Sequence, residues 1–280
     1  MNFKTAILRA RSSGQPLPAF NIVDQASLMG VVEAAREMKR PVIAQVSVRT
    51  VQYYGAATLR RMADEALERF GSECFLHLDH CRDDTIIEAA CAAHFDGFMI
   101  DASDLSYEGN VRRTREWVRQ RRTRDVVVEG ELGQIHGVEE DISGGADSGG
   151  PTLEQCQQFA ADTGIDLLGA DIGTAHGLYV SPPAVRFSFI EELVARISAG
   201  FVIHGGSGLD NKTLNILAGL RVAKINFSTE LKIAWGDAVV KAIEKESVPE
   251  PLSVLQHAHE IIKNLAVFKL RALDGGGRSL

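Results

Sequence analysis

The amino-acid sequence predicts an α/β fold and, within that class, a closed (β/α)8 TIM barrel. Short apolar runs alternate with longer amphipathic stretches, and this alternation occurs eight times along the chain. Polar or ionisable residues stand where the apolar runs end. A parallel barrel needs this order, because each strand must be followed by a segment that returns the chain to the opposite end of the sheet.

The predicted strands are short apolar runs bounded by turn residues. They lie at 17–22, 41–47, 74–80, 96–101, 126–132, 165–173, 201–206 and 221–227. A doubly wound open sheet shares the same alternation and is the alternative fold. Most such sheets, however, carry a GxGxxG turn for a dinucleotide after the first strand, and this chain does not. We therefore favour the closed barrel.

The predicted helices fall between the strands, often opening with aspartate or threonine and closing with glycine, as helix capping expects. They lie at 24–39, 56–71, 83–95, 107–122, 152–164 and 186–198, with two late helices at about 229–245 and 251–271. A barrel of this kind often occupies a chain of this length as one unit. We expect a single domain over residues 1–280.

Composition and charge restrict the function. The chain has 30 basic and 37 acidic residues, a formal charge of −7, which argues against nucleic acid or an anionic membrane as the main partner. No apolar run approaches the roughly 18 residues of a membrane span, and the N-terminus does not resemble a signal peptide. Four cysteines without a CxxC pair indicate reduced thiols and a cytoplasmic location.

Polar side chains mark the ends of the predicted strands. In strand order they are Asn21, Ser47, Asp79 with His80, Asp101, Glu131, His176 just beyond the sixth strand, His204 and Asn226. In barrel enzymes the C-terminal ends of the strands converge on one face, where the active site is assembled. The pattern therefore predicts a site built from many strands.

Three histidines suggest a metal site. A lone histidine is more often a core or surface residue, but His80, His176 and His204 all stand at strand ends, and glycine follows two of them. Three neutral imidazoles with one open position are the usual arrangement for catalytic zinc. Asp101 and Glu131 could add an oxygen ligand or orient the histidines.

Two further segments are rich in possible anion donors. The sequences HGGSG (204–208) and KINFST (224–229) follow the seventh and eighth strands, where barrel enzymes commonly bind phosphate. Glycines let backbone N–H groups approach an anion, and Ser207, Ser228 and Thr229 add hydroxyl groups. A GGSG sequence alone is weak evidence, but its position after the seventh strand favours a phosphate site.

The segments HLDHC, MIDAS, VEGELGQ, IGTAHGLY, IHGGSG and KINFSTE resemble, in this order, the signatures of the class II (metal-dependent) ketose-bisphosphate aldolases. That family includes fructose-1,6-bisphosphate and tagatose-1,6-bisphosphate aldolases, and the likeness extends from residue 19 to about Glu230. It implies a lyase that reversibly cleaves a ketose bisphosphate to dihydroxyacetone phosphate and an aldehyde such as glyceraldehyde 3-phosphate, as in glycolysis. With the apolar faces of the late helices, it also implies a homodimer or homotetramer.

The resemblance assigns roles to the strand-end residues. It implies that His80, His176 and His204 hold zinc, with Asp101 and Glu131 at or near a second metal position and with Na+ or K+ assisting. Asp79 would transfer the proton at the cleaved C–C bond, and Glu139, in the loop 136–141, would exchange a proton on the dihydroxyacetone-phosphate carbon. The expected substrate-binding residues are Asn21, Ser47, Gly177, Gly205, Ser207, Asn226, Ser228 and Thr229.

Several residues depart from the family pattern and leave the exact sugar open, notably Arg49, Cys81 and Asp171. An aldolase for another phosphorylated ketose or a sugar-acid phosphate is therefore an alternative, and a non-catalytic sugar-phosphate sensor is a less favoured one. A Schiff-base aldolase would need a desolvated lysine at a strand end, for which Lys224 is the candidate. A metal-dependent amidohydrolase would normally show HxH at the end of the first strand, where FNI stands instead.

Overall fold

The computed structural model describes residues 1–121, 125–139, 142–143, 150–179, 181–245 and 250–274. Eight parallel strands close into a barrel through pairing of the first strand with the eighth, which confirms the predicted (β/α)8 fold. The strands are β1 Leu17–Asn21, β2 Val42–Val46, β3 Cys74–Cys81, β4 Gly97–Ile100, β5 Val127–Leu132, β6 Leu167–Ala170, β7 Gly200–Ile203 and β8 Lys224–Phe227.

The helices surround the barrel and are α1 Phe3–Ser13, α2 Gln25–Met38, α3 Val48–Tyr54, α4 Ala56–Phe70, α5 Asp84–Ala92, α6 Tyr107–Arg121, α7 Leu153–Thr163, α8 Phe187–Arg196, α9 Asn211–Gly219, α10 Thr229–Lys245 and α11 Pro251–Ala272. Asp24 and Thr152 form capping boxes at the starts of α2 and α7, in agreement with the capping pattern. The sequence prediction omitted α1, α3 and α9, none of which exceeds 11 residues.

The N-terminal mouth of the barrel is closed by an apolar plug. We use this name for Phe3 and Ile7 of α1 together with the inward-facing Phe75, Val127 and Val202, which form one buried cluster. The rings of Phe3 and Phe75 stack with their centroids 4.7 Å apart. The plug therefore fills the bottom of the barrel with apolar side chains.

Above the plug, the inward-facing side chains become polar. Gln45, His77, Glu129 and Lys224 are all fully buried inside the barrel. A buried charge is costly unless it is paired and hydrogen-bonded, and in this polar layer Lys224 Nζ pairs with Glu129 Oε2 at 2.6 Å. The layer lies between the apolar plug and the strand ends.

The C-terminal helix α11 packs against α2 and forms a hairpin with α10. Gly30 of α2 permits the close approach, because a Cβ atom there would lie 2.8 Å from the His259 carbonyl oxygen. Arg40 fixes the end of α11, donating to the Leu270 carbonyl at 3.0 Å and pairing with Asp274 at 2.6 Å. Among the described helices, none has the length and apolarity needed to cross a membrane.

Candidate active site

Asp79 and His80 both reach the site because β3 is irregular at its C-terminal end. In a regular strand, neighbouring side chains point to opposite faces of the sheet. Here the register with β4 shifts between Leu78 and Cys81, and His80 has a φ of 38°. Residues other than glycine seldom adopt this left-handed conformation, and such strain is concentrated at functional sites.

The three histidines from β3, the segment after β6 and β7 come together at the C-terminal mouth. One ring nitrogen from each of His80, His176 and His204 lies within 4.8 Å of the other two. His80 Nε2 is 3.0 Å from His204 Nδ1. Burial, reinforced by the neighbouring His80, places the pKa values of His176 and His204 well below the usual range. Both imidazoles are therefore neutral near pH 7, the form that binds metal ions.

The donor set fits zinc. Beside the three imidazoles, Asp101 Oδ2 and Glu131 Oε2 lie 3.8 Å and 3.7 Å from His80 Nδ1. Glu131 Oε2 is buried and has no hydrogen-bond partner among the described residues. Imidazole nitrogens with a carboxylate oxygen in reach are typical zinc ligands. His80, His176 and His204 could hold the ion, with Glu131 or Asp101 as an additional oxygen ligand.

The two carboxyl groups have different electrostatic surroundings. Burial alone raises the pKa of Asp101, but His80, Ser103 and Arg82 stabilise its charge and leave the pKa below its ordinary value. Ser103 Oγ donates to Asp101 at 2.7 Å and Arg82 Nε donates at 3.0 Å. Burial raises the pKa of Glu131 to about 8, against the opposing effect of His80. Asp101 is therefore charged at neutral pH, whereas burial favours the neutral form of Glu131.

His204 is oriented from below by Glu129, a residue that the sequence analysis missed. Glu129 Oε1 lies 3.0 Å from His204 Nε2, and Glu129 Oε2 lies 2.6 Å from Lys224 Nζ. A carboxylate that accepts from one ring nitrogen fixes the tautomer and leaves the other nitrogen free to ligate. Lys224 is fully buried and paired with Glu129, so its amine is not presented to a substrate carbonyl as Schiff-base chemistry would require.

Asp79 is held by an amide relay. Its Oδ2 accepts from Asn21 Nδ2 at 2.9 Å, and Asn21 Oδ1 in turn accepts from Gln45 Nε2 at 2.9 Å. Burial raises the pKa of Asp79, but the charges of His80 and Lys224 outweigh it, and the pKa is lowered. The second oxygen, Oδ1, is buried without a partner among the described residues. Asp79 is thus an ionised carboxylate with one oxygen free to take a proton.

The structure shows contacts of Asn21 and Gln45 that the sequence analysis did not predict. Asn21 was expected to bind substrate, and in this structure its amide group also bridges Asp79 and Gln45. Gln45 lies one residue before the end of β2 and was not predicted. The available signal was a glutamine within an otherwise apolar strand, which is unusual for a buried position.

The loops after β7 and β8 are joined by hydrogen bonds. Ser207 Oγ accepts from the backbone N–H of Ser228 at 3.1 Å and of Glu230 at 3.3 Å. Ser228 Oγ is buried and has no partner among the described residues. Thr229 begins α10, and a helix N-terminus attracts anions. Asn226 links these loops to the imidazoles, since its Nδ2 lies 3.2 Å from His204 Nδ1.

A small sheet flanks the histidines. The strand His136–Glu139 pairs with Ala175–His176, and Ile142–Ser143 adds a third strand. Gly137 has a φ of 98°, and a Cβ atom there would lie 2.2 Å from the His176 carbonyl oxygen. Glu139 ends its strand, while residues 140–141 of the predicted loop lie outside the described residues. Gly177 follows His176 directly. The backbone carbonyl oxygen of Gly205 accepts a hydrogen bond from the Tyr179 hydroxyl at 2.6 Å.

The remaining residues singled out in the sequence occupy different environments. Ser47 caps α3, its Oγ accepting from the Thr50 N–H at 3.2 Å, and Arg49 is exposed on the same helix. Cys81 is buried with its Sγ 3.3 Å from the Asp83 carbonyl oxygen. Asp171 is buried, and its Oδ1 accepts from the Gly173 N–H at 2.9 Å.

A closed barrel with three clustered imidazoles, an ionised carboxylate and two joined loops at its C-terminal mouth is typical of a barrel enzyme with its active site at that face. The profile of the family described as fructose-bisphosphate aldolase class-II matches residues 1–278, and the chain belongs to this family. The chain is therefore an aldolase, a lyase that breaks a C–C bond.

Solved structures agree with this assignment. The YdjI aldolase of Escherichia coli K12 is 25% identical with a TM-score of 0.82, and the match covers 99% of this chain and 98% of that one. A protein of Coccidioides immitis, provisionally described as a fructose-1,6-bisphosphate aldolase, is 25% identical with a TM-score of 0.85 over 99% and 97% of the two chains. The fructose-bisphosphate aldolase of Campylobacter jejuni, 20% identical over 100% and 97% with a TM-score of 0.83, shares the fold.

Proposed function

We propose that this protein is a zinc-dependent aldolase that reversibly cleaves a ketose bisphosphate of the fructose-1,6- or tagatose-1,6-bisphosphate type. The products are dihydroxyacetone phosphate and an aldehyde such as glyceraldehyde 3-phosphate. The convergence of His80, His176 and His204 beside Asp79 carries the proposal, because retro-aldol cleavage needs a metal-binding donor set and a base close together.

Retro-aldol cleavage needs a base for the C4 hydroxyl and a sink for the electron pair of the C3–C4 bond. Zinc bound by the three histidines would supply the Lewis acid that stabilises these electrons. Asp79 Oδ1 takes the C4 hydroxyl proton as C4 becomes a carbonyl, and returns it in the condensation direction. Glu139 is the candidate donor of the proton that C3 then receives. Na+ or K+ is an expected further cofactor.

The loops after β7 and β8 hold the phosphate group of the dihydroxyacetone-phosphate half. Their contribution is positioning, which lowers the barrier by fixing the reacting carbon near Asp79. The buried Ser228 hydroxyl and the start of α10 at Thr229 supply donors for a phosphate oxygen. Ser207, Gly205, Gly177 and Asn226 are the further residues that would contact this half of the substrate, whereas Asn21 would act through Asp79.

A different phosphorylated ketose or a sugar-acid phosphate is the second candidate substrate. Arg49 favours it, since this exposed cation stands two residues beyond the end of the second predicted strand, where it could meet an anionic group on the distal half of the substrate. Fructose and tagatose bisphosphates differ at C4 alone, a difference that loop geometry decides.

The cellular setting follows the same proposal. Four buried free cysteines fit a reducing, cytoplasmic location, and we treat residues 1–280 as one catalytic domain. Exposed apolar side chains on the α10–α11 hairpin, Val240, Ile243, Leu252 and Leu255, favour a homodimer or homotetramer. Sedimentation of the purified protein would measure the oligomeric state.

Cleavage of a panel of ketose 1-phosphates and bisphosphates, with release of dihydroxyacetone phosphate as the readout, tests the activity. Asp79→Asn keeps the side-chain shape but removes the base, and should lower turnover by at least about 100-fold with zinc content near that of the wild type. Asp64→Asn, a change at the exposed carboxylate that pairs with Arg60 in α4, is the control and should leave turnover unchanged.

Two results would contradict the proposal. If no member of the panel releases dihydroxyacetone phosphate, the chain does not have this aldolase activity. If Asp79→Asn loses its zinc, Asp79 is a ligand and the assigned base must be sought elsewhere.

A further inference from the structure

A buried lysine of the C-terminal helix lies behind the proposed phosphate loops. Lys269 of α11 is only 3% exposed, and its Nζ lies 2.6 Å and 2.9 Å from the two carboxylate oxygens of Glu230. The same ammonium lies 5.2 Å from the centroid of the Phe227 ring. The reaction described above uses neither Lys269 nor Glu230.

Glu230 connects this lysine to both loops. Its carboxylate accepts from the backbone N–H of Gly208, and its own N–H donates to Ser207 Oγ at 3.3 Å. Ser207 Oγ also accepts from the Ser228 N–H at 3.1 Å. The carboxylate therefore holds the loop after β7 from behind, while the backbone of the same residue joins it to the loop after β8.

We infer that Lys269 is a positioning residue for the phosphate site, acting through Glu230. The inference rests on the proposed function, since it assigns the support of that same site. Two physical effects depend on the lysine. Its ammonium fixes the carboxylate against Gly208, because a mostly buried carboxylate without a partner is unstable and turns toward water. It also neutralises a negative charge beside loops that must receive a phosphate dianion.

Lys269→Met tests the inference, because methionine keeps the apolar stem over Phe227 and removes the charge. The zinc-loaded protein is titrated with inorganic phosphate, and KM and kcat are measured with the active bisphosphate. We expect the dissociation constant for phosphate and the KM to rise at least about tenfold, with kcat within about twofold of the wild type.

Arg40→Met is the matched control. Arg40 anchors the same end of α11 through Leu270 and Asp274 but does not contact Glu230. Its loss should lower the thermal midpoint without weakening phosphate binding. The double variant Lys269→Met/Glu230→Gln supplies a rescue, since glutamine can still accept from Gly208 and carries no charge. It should recover most of the phosphate affinity lost in Lys269→Met.

The outcomes separate the inference from the function on which it rests. Unchanged phosphate affinity in Lys269→Met, or an equal loss in Arg40→Met, would overturn the positioning role and leave the phosphate site in place. Failure of the double variant to recover affinity would overturn the electrostatic part of the argument. Wild-type protein that cleaves the bisphosphate but binds no phosphate would overturn the phosphate site itself, and the inference with it.

Discussion

The contact between α2 and α11 predicts opposite effects for the same substitution in two helices. Gly30→Ala places a Cβ atom 2.8 Å from the His259 carbonyl oxygen, 3.0 Å from the Lys263 backbone nitrogen and 3.2 Å from Ile262 Cγ2. Gly236→Ala in α10 meets no atom within 4 Å. Both positions are inside helices, so the two variants share the helix-propensity change and differ in the space around the new methyl group.

Two opposing free-energy changes decide the result at Gly30. Replacing a helical glycine by alanine stabilises by about 1 kcal/mol. Overpacking a filled contact destabilises by about 1–3 kcal/mol, and the upper part of that range applies, because two of the three close atoms are backbone atoms. We expect Gly30→Ala to be destabilised by roughly 1–2 kcal/mol and Gly236→Ala to be stabilised by up to about 1 kcal/mol.

Urea unfolding followed by circular dichroism measures the free energy of unfolding for the wild type and both variants. Equal m-values would show that the comparison reflects the native state. The expected order of stability is Gly236→Ala, wild type, Gly30→Ala. If Gly30→Ala is as stable as Gly236→Ala, α2 and α11 separate readily, and the close approach described here does not restrain the C-terminal helix.

Three further predictions concern the site. Gln45→Leu removes the donor to Asn21 and should lower kcat by about 3- to 10-fold while the zinc content stays unchanged. Steady-state kinetics and metal analysis measure the two quantities. A normal kcat would show that the amide relay has no part in the mechanism. Glu129→Gln should weaken zinc binding by about 10- to 100-fold, as measured in competition with a chelator. It should also lower the thermal midpoint, because Lys224 loses its buried charged partner. Unchanged zinc affinity would show that Glu129 does not orient His204. Removing zinc with a chelator should abolish aldolase activity and lower the thermal midpoint, and added zinc should restore both. Aldolase activity that survives complete metal removal would refute the metal dependence.

The sequence predicted the barrel because parallel closure imposes a pattern that can be read locally. Each strand must be apolar, short and followed by a returning segment, so the alternation alone located the eight strands to within a few residues. The polar strand ends were equally visible, since residues such as His80 and His204 interrupt apolar runs. Predicting that these side chains converge required only the assumption that parallel strands end on the same face of the barrel.

Other parts of the site could not be read in this way. Glu129 and Glu131 are two residues apart and share the inward face of β5, but the partner that makes Glu129 tolerable, Lys224, is 95 residues away in the sequence. The position of the Asp79 side chain beside His80 depends on the register shift in β3. No residue type in the sequence indicates this shift. The link from Lys269 to the proposed phosphate loops likewise depends on how α11 packs against the barrel.

The apolar plug has a consequence for the movement of water and protons. Phe3 and Ile7 close the barrel from below, so water can reach the buried polar layer and the buried Asp79 only from the C-terminal mouth, the side proposed for substrate entry. In the proposed mechanism, a bound substrate would stand between Asp79 and bulk water. A proton taken up by Asp79 during cleavage is expected to remain there until the aldehyde departs, and in the reverse direction it can be returned to the same molecule. The order of product release therefore decides when a proton held by Asp79 can exchange with bulk water.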